Sequence, residues 1–365
     1  MSKFFCPLPW IHQFIQPDGI KMCCSSGTLL NVTPAEFNSS AYLADVKSTI
    51  NQGNIPTDCQ GCVQLEAQGY TSTRSLALTD WNYTVDNVPE QTLYLDIRWS
   101  NLCNFSCRSC EPSFSSEIAR EQQLLPVHRF NNQAIKDVFD SLSTVKRINF
   151  TGGEPLLIKE NIEVLEHLIS LGRTDCSILI TTNASVINNQ IINLIKQFNN
   201  VHWTISLDAV GTAAEYIRNG TIWDRVNTNI KTILGLNQSV SFNCVLSAYS
   251  ILDIDNLVDY FANLKLQYNQ QPLELWFAVC EYPASLHPQS LTTSLKDSAR
   301  SALTRAISTL STVKSNPIRS IDSLKALQTN LNDSIIYKQD EFIKITKNLD
   351  ALRNQNFSNV FNLGE

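Results

Sequence analysis

Three cysteines, Cys103, Cys107 and Cys110, stand at the spacing Cys-x3-Cys-x2-Cys. Three thiolates this close in sequence can converge on one inorganic centre, because thiolate ligates both zinc and iron–sulfur clusters. A structural zinc site closes with a fourth Cys or His, and none follows nearby. The triplet therefore points to a centre with one ligand position left open for chemistry, against the alternatives of a zinc loop or three unrelated thiols. A second group, Cys6, Cys23, Cys24, Cys59 and Cys62, lies near the N-terminus, the last two as Cys-x2-Cys. Together the groups hold eight of the eleven cysteines, which favours metal binding over a disulfide framework.

The elements that must carry these residues alternate in type. Leu93, Leu95 and Ile97 mark a strand that runs into the cysteine triplet. Helical patterns follow over 113–125 and 131–142, then a strand over 147–151 that leads into Gly152, Gly153, Glu154 and Pro155. Further strands are expected over 177–182, 201–207, 239–246 and 273–279, with helices over 161–171, 187–198, 224–236 and 254–266 between them. Six strand–helix alternations predict an α/β fold with a parallel sheet, either a partial barrel or an open doubly wound sheet. Both the cysteine triplet and the Gly152 loop then fall just past the C-terminal ends of strands, where such folds build their sites. After residue 286 the chain turns helical and polar, with apolar stripes at Ile321, Leu324, Leu327, Leu331 and at Phe342, Ile345, Leu349, Leu352. Phe357, Val360 and Phe361 are expected to tuck the tail against the core.

The triplet, followed about forty residues later by Gly-Gly-Glu-Pro in the next βα loop, resembles the radical S-adenosylmethionine (radical SAM) enzymes. The resemblance implies a partial (β/α)6 TIM-type barrel over 90–285 and a [4Fe–4S] cluster held by Cys103, Cys107 and Cys110. In that family S-adenosylmethionine takes the fourth iron, and its reductive cleavage yields a 5′-deoxyadenosyl radical that abstracts a substrate hydrogen. Gly152, Gly153, Glu154 and Pro155 match the element that binds its amino group. Asp208, at the end of the strand 201–207, and Arg218 are expected at the cofactor as well, the latter as a fork for the methionine carboxylate. Asn183 has a position to face the site. Ser109 departs from the large apolar residue common before the third cysteine.

The N-terminal thiols resemble the auxiliary-cluster modules called SPASM and twitch. Cys6, Gly19 and Cys24 follow the module's order, and Cys59 and Cys62 complete four candidate ligands over 1–75, with Cys23 as a neighbour of Cys24. The module usually follows the catalytic core and here precedes it. A structural zinc knuckle is the alternative, and His12 is read as a surface or turn histidine. Little helical or strand periodicity connects these landmarks, and 71–92 reads as a polar connection. Residues 286–365 are read as helices packing on the barrel.

Composition narrows the partners. Hydrophobic residues make up 43% of the 365, enough for a substantial core, and charged residues 17% with net charge −6. No basic field invites a nucleic-acid backbone, so a nucleic-acid substrate is disfavoured. No apolar run is long enough to cross a membrane, and no signal-peptide core opens the chain, so a cytoplasmic protein is expected. The family resemblance implies an electron donor such as flavodoxin or ferredoxin. It favours a peptide substrate over a small molecule such as an aminocyclitol, and the competing reading of another class is a non-catalytic iron–sulfur carrier. Cys176, Cys244 and Cys280 are expected as small buried residues, with Cys280 at a strand end where a thiol can donate a hydrogen atom.

Overall fold

In chain order the strands are β1 (His12–Gln16), β2 (Gly19–Lys21), β3 (Leu29–Leu30), β4 (Tyr94–Ile97), β5 (Ser106–Cys107), β6 (Arg147–Phe150), β7 (Ser177–Thr182), β8 (Val201–Ser206), β9 (Arg218–Asn219), β10 (Ser239–Leu246) and β11 (Leu273–Val279). The computed structural model describes residues 4–67, 71–124, 132–314, 318–331 and 337–361. The end of the helix predicted over 113–125 and the start of the one over 131–142 lie outside them. The chain forms two units, one of Met1–Leu102, Pro126–Ile180 and Asn188–Val201, the other of Cys103–Leu125, Thr181–Ile187 and His202–Glu365.

In the first unit β6 pairs in parallel with β4 and with β7. Strand β7 shows why these segments are strands: Ile178, Ile180 and Thr182 are buried while the residues between them are half-buried, a period of two. The helix Lys159–Ser170 follows β6 and buries Val164, Leu165 and Leu168. Each such side chain contributes about 1.5–3 kcal/mol when taken fully out of water. In the second unit β10 lies between β8 and β11, both parallel to it, and the helices Trp223–Leu234 and Ile254–Gln267 follow the same logic of buried Ile, Leu, Val and Phe. Besides β1, three parallel strands in each unit, with helices alternating between them, make this the α/β, partial (β/α)6 class expected.

The N-terminal segment departs from the expectation of little regular structure. Strand β1 pairs in parallel with β4, from His12 opposite Tyr94 to Ile15 opposite Ile97, and antiparallel with β2. Four of its five residues are buried, so it shows none of the polar alternation by which a half-exposed strand is recognised. The helix Ala41–Asn51 buries Leu43, Val46 and Ile50, and within the supposed polar connection the helix Thr73–Trp81 begins at a capping box of Ser72 and Ser75 but buries only Ala77.

The C-terminal helices are Thr293–Thr312, Ile318–Asn330 and Gln339–Arg353. The last differs from its predicted stripe. Phe342 and Thr346 are buried, whereas Leu352 is 60% exposed. Its inward face runs through positions 342, 346 and 350, and the polar members of that face escape a search for apolar periodicity. Phe361 is buried against Tyr216 and Phe357, as the tail reading anticipated. Among the described residues, no helix is long and apolar enough to cross a membrane.

Candidate active site

The cysteine loop begins where β4 ends. Cys103 donates its backbone N–H to the Ser116 hydroxyl at 3.1 Å, and that hydroxyl donates to the Cys103 carbonyl at 3.0 Å, so Ser116 clamps the first cysteine from the next helix. The Phe105 N–H donates to the Cys103 sulfur at 3.5 Å. Cys107 sits in β5, which pairs antiparallel with β9, Cys107 opposite Arg218 and Ser106 opposite Asn219. A turn closed by the Cys110 N–H on the Cys107 carbonyl brings in the third thiol.

Electrostatics mark the three thiols as neighbours. Burial pushes the Cys110 thiol up to about 12, and the charges of Cys107 and Cys103 add to it. Burial also raises Cys107, while the cations Arg218 and Arg353 pull it back. Crowded thiols that resist ionisation become ligands when a metal supplies the opposing charge. Cys107, Ser109, Cys110, Asp208, Arg218, Val245 and Tyr282 are among the residues lining one cavity of about 560 Å3, a size usual for small-molecule sites. The donor set and this adjoining space fit an open cluster with a cofactor beside it.

Arg218 is half-buried and donates to Asp208 Oδ2 at 2.8 Å, while the buried Asp208 accepts the Val245 N–H through Oδ1 at 2.9 Å. Its guanidinium thus stands beside Cys107, the residue that Arg218 faces across the β5–β9 pair. Asn183 is buried, with its amide 4.0 Å from the Cys103 sulfur and 3.1 Å from Asn104 Oδ1. Cys176, Cys244 and Cys280 are buried.

The Gly152 to Pro155 loop belongs to the first unit and packs on the chain that leads into Cys103. Gly152 has φ +125°, a backbone region that favours glycine. A Cβ on Gly153 would lie 2.0 Å from the Leu102 carbonyl oxygen, to which Glu154 donates its N–H at 2.8 Å. The close approach these glycines permit is therefore, in the first instance, to residues 100–102. Glu154 is fully buried and accepts the Leu156 N–H, and Pro155 starts the short helical turn that follows.

Among the N-terminal thiols, Cys6, Cys23, Cys59 and Cys62 line one small cavity with Asp58 and Arg74. Burial raises Cys59 to about 12 and Cys23 to about 11, and the charge of Cys62 raises both. Cys24 is exposed, its sulfur 3.4 Å from the Thr73 hydroxyl. The structure thus gathers Cys23, and not Cys24, with the other three. Among the described residues, no three His, Cys, Asp or Glu side chains are grouped for a single metal ion. His12 is neither a surface nor a turn residue: it is buried in β1, with Nδ1 2.8 Å from the Met22 carbonyl and Nε2 3.1 Å from Asp96 Oδ2. Its environment depends on a strand pairing invisible in local sequence.

Residues 97–260 match the family model for the radical SAM superfamily. The matched stretch carries both the cysteine triplet and the Gly152 to Pro155 loop. That family implies a [4Fe–4S] cluster and S-adenosylmethionine as cofactors. The chain is 31% identical over 163 residues to a GTP 3′,8-cyclase of Campylobacter lari, covering 44% of this chain and 49% of that protein. It is 26% identical over 230 residues to molybdenum cofactor biosynthesis protein 1 of Dictyostelium discoideum, covering 62% and 34%. It thus spans half or less of the length of these curated relatives. Among solved structures, anSMEcpe with bound AdoMet aligns at TM-score 0.45 and 18% identity over 60% of each chain. Streptococcus suis SuiB bound to precursor peptide SuiA aligns at TM-score 0.43 and 18% identity, over 73% of this chain and 59% of that one.

Residues that sequence reasoning did not single out complete the picture. Ser116 left no signal beyond its type, and Phe114 and Tyr282, 39% and 76% exposed, line the same cavity as Cys107 and Cys110.

Proposed function

We propose that this chain is a radical SAM enzyme whose Cys103, Cys107 and Cys110 hold a [4Fe–4S] cluster and that it abstracts a hydrogen atom from a peptide. The observation that carries the reading is the three-thiol loop whose Cys107 and Cys110 line the cavity of about 560 Å3. Bound there, the cluster and S-adenosylmethionine would supply the 5′-deoxyadenosyl radical. The chain's own part is to seat them: Ser116 fixes Cys103, the β5–β9 pair fixes Cys107, and Gly153 fixes the chain before the loop. Arg218, already engaged by Asp208, sets a cation beside Cys107.

The cavity lining supports a peptide over a nucleoside triphosphate. Triphosphates are held by clusters of free cations. Among the described residues lining this cavity, Arg218 is the cationic one and it is committed to Asp208, whereas Phe114, Tyr282, Pro112, Pro283 and Glu111 suit an apolar or basic side chain. An electron donor of the flavodoxin or ferredoxin type would reduce the cluster. By function we divide the chain into an auxiliary module over 1–75, the core over 90–285 and a helical region over 286–365.

The auxiliary module is read as holding a second iron–sulfur cluster on Cys6, Cys23, Cys59 and Cys62. An all-thiolate set suits zinc or an iron–sulfur cluster. One ion needs its donors on a single point, whereas a cluster gives each thiolate its own iron.

Anaerobically reconstituted protein with reductant and S-adenosylmethionine is expected to release 5′-deoxyadenosine, and Cys103→Ala, Cys107→Ala and Cys110→Ala to abolish it. No 5′-deoxyadenosine from wild type with intact clusters would leave an electron carrier as the reading. In the triple variant, residual iron and sulfide are expected, lost on adding Cys23→Ala and kept on adding Cys24→Ala; stoichiometric zinc would overturn the second cluster.

A further inference from the structure

Both neighbours of Cys107 are tied to the C-terminal segment. Arg108 has a fully buried side chain whose guanidinium lies 3.5 Å from the Tyr216 ring centre. It donates to the Tyr216 carbonyl at 3.0 Å, to Asp350 Oδ1 at 2.5 Å and to Gln355 Oε1 at 2.7 Å. On the other side, the Ser106 hydroxyl donates to Glu121 at 2.8 Å, and Arg353 grips that carboxylate through Nε at 3.2 Å and Nη2 at 2.8 Å. Asn219 joins the two halves, donating to Ser106 and accepting from Gln355. Asp350 also accepts the Tyr216 hydroxyl and the Phe357 N–H, and Phe357 and Phe361 pack on the Tyr216 ring.

We propose that Asp350 and Arg353 of the helix Gln339–Arg353, with Gln355 just past its end, are positioning residues that hold the cysteine loop and set the reduction potential of the cluster bound there. The inference rests on Cys103, Cys107 and Cys110 being cluster ligands. Net charge and hydrogen bonding around the thiolates are levers on cluster potential. Here the levers are two ion pairs, Arg108–Asp350 and Arg353–Glu121, each built from one residue close to Cys107 in sequence or space and one neutralising partner. Reduction adds negative charge to the cluster, so an unneutralised cation favours it and an unneutralised carboxylate opposes it. The two pairs, opened from opposite ends, must therefore move the potential in opposite directions.

The test is a redox titration of the reconstituted full-length protein, following by electron paramagnetic resonance the signal that changes when S-adenosylmethionine is added. Asp350→Asn leaves Arg108 without its counter-charge and is expected to raise the reduction equilibrium constant about tenfold, which is about +59 mV for one electron. Arg353→Gln leaves Glu121 without its own and is expected to lower the constant by a similar factor; Asp350→Glu is expected to restore the wild-type value. Variants with wild-type iron content that shift together in sign, or not at all, would overturn the inference. If Asp350→Asn keeps the wild-type circular dichroism but loses the cluster, the positioning role is upheld. Gln355→Glu then reads the charge effect, with a lowered potential expected and an unmoved one refuting it. If Asp350→Asn loses its fold, Arg353→Gln and Gln355→Glu carry the test with the same expected lowering. A wild type without any such signal would instead refute the cluster assignment.

Discussion

Replacing Gly153 by alanine is the sharpest single test of how the Gly152 to Pro155 loop works. The added Cβ would lie 2.0 Å from the Leu102 carbonyl oxygen, 2.4 Å from its carbonyl carbon and 2.9 Å from the Asn101 carbonyl oxygen. All three are backbone atoms, so no side-chain rotation relieves the clash, and the chain before Cys103 must retreat by about 1.4 Å to reach the 3.4 Å of ordinary contact. Leu102 O also accepts the Glu154 N–H at 2.8 Å, and Glu154 is fully buried, so the retreat weakens a buried hydrogen bond. Overpacking of about 1–3 kcal/mol together with about 1 kcal/mol for the hydrogen bond gives a loss of about 3 kcal/mol. Gly61 is the control: it lies in the helix Gln60–Ala67 and a Cβ there meets nothing within 4 Å. Gly61→Ala is expected to stabilise by about 0.5 kcal/mol through helix propensity and a less flexible unfolded chain. The assay is urea unfolding of each variant with the denaturant slope compared, so that a midpoint shift reads as stability. A Gly153→Ala midpoint equal to wild type would refute the packing account and leave ligand approach as the glycine's reason.

The pH dependence should show Asp253. Burial raises its carboxyl to about 6, above the unfolded value, so its contribution to stability is full below about pH 4 and is lost as pH rises through 6. Allowing for its partial exposure, this loss is about 2 kcal/mol. Asp253→Asn is expected to flatten the stability profile between pH 4 and 7, and an unchanged slope in urea titrations would reject the assignment. Thr33 caps the helix Pro34–Asn38 in a capping box with Glu36, so Thr33→Ala is expected to cost about 1 kcal/mol, with no change in the urea midpoint counting against the cap. Phe361→Ala removes a buried ring from the Tyr216 and Phe357 cluster; about 3 kcal/mol of local stability should go, read as faster amide exchange over 354–361.

How much of this was legible depends on whether a residue's role is local. The strands over 239–246 and 273–279 stood out in sequence because Val240, Phe242, Cys244 and Leu246 alternate or run with β-branched and aromatic neighbours. The cysteine triplet was legible because its ligand spacing is contained in one loop. Strand β1 was not, because a strand buried on both faces carries no alternation. The inward face of the helix Gln339–Arg353 was misplaced because Asp350 turns toward Arg108, a partner 242 residues away. The choice between Cys23 and Cys24 turned on the same distinction. Adjacent cysteines look alike in sequence, and only the fold decides which of the two meets Cys59 and Cys62.

The parallel pairing of β1 with β4 also has a bearing on how the chain comes to be folded. His12 meets Tyr94 across more than eighty residues, and every thiol of the N-terminal group is synthesised before the strand that β1 needs as its neighbour. Non-local parallel pairing forms late, because the intervening chain must first be closed into a loop. Until β4 emerges, the edge of β1 that will meet it leaves its backbone N–H and C=O groups open, the kind of edge that invites pairing with other chains. A nascent chain paused between residues 62 and 94 would thus present five thiols and an open strand edge at once, and the rate at which synthesis crosses that stretch becomes a determinant of how much protein reaches the native fold.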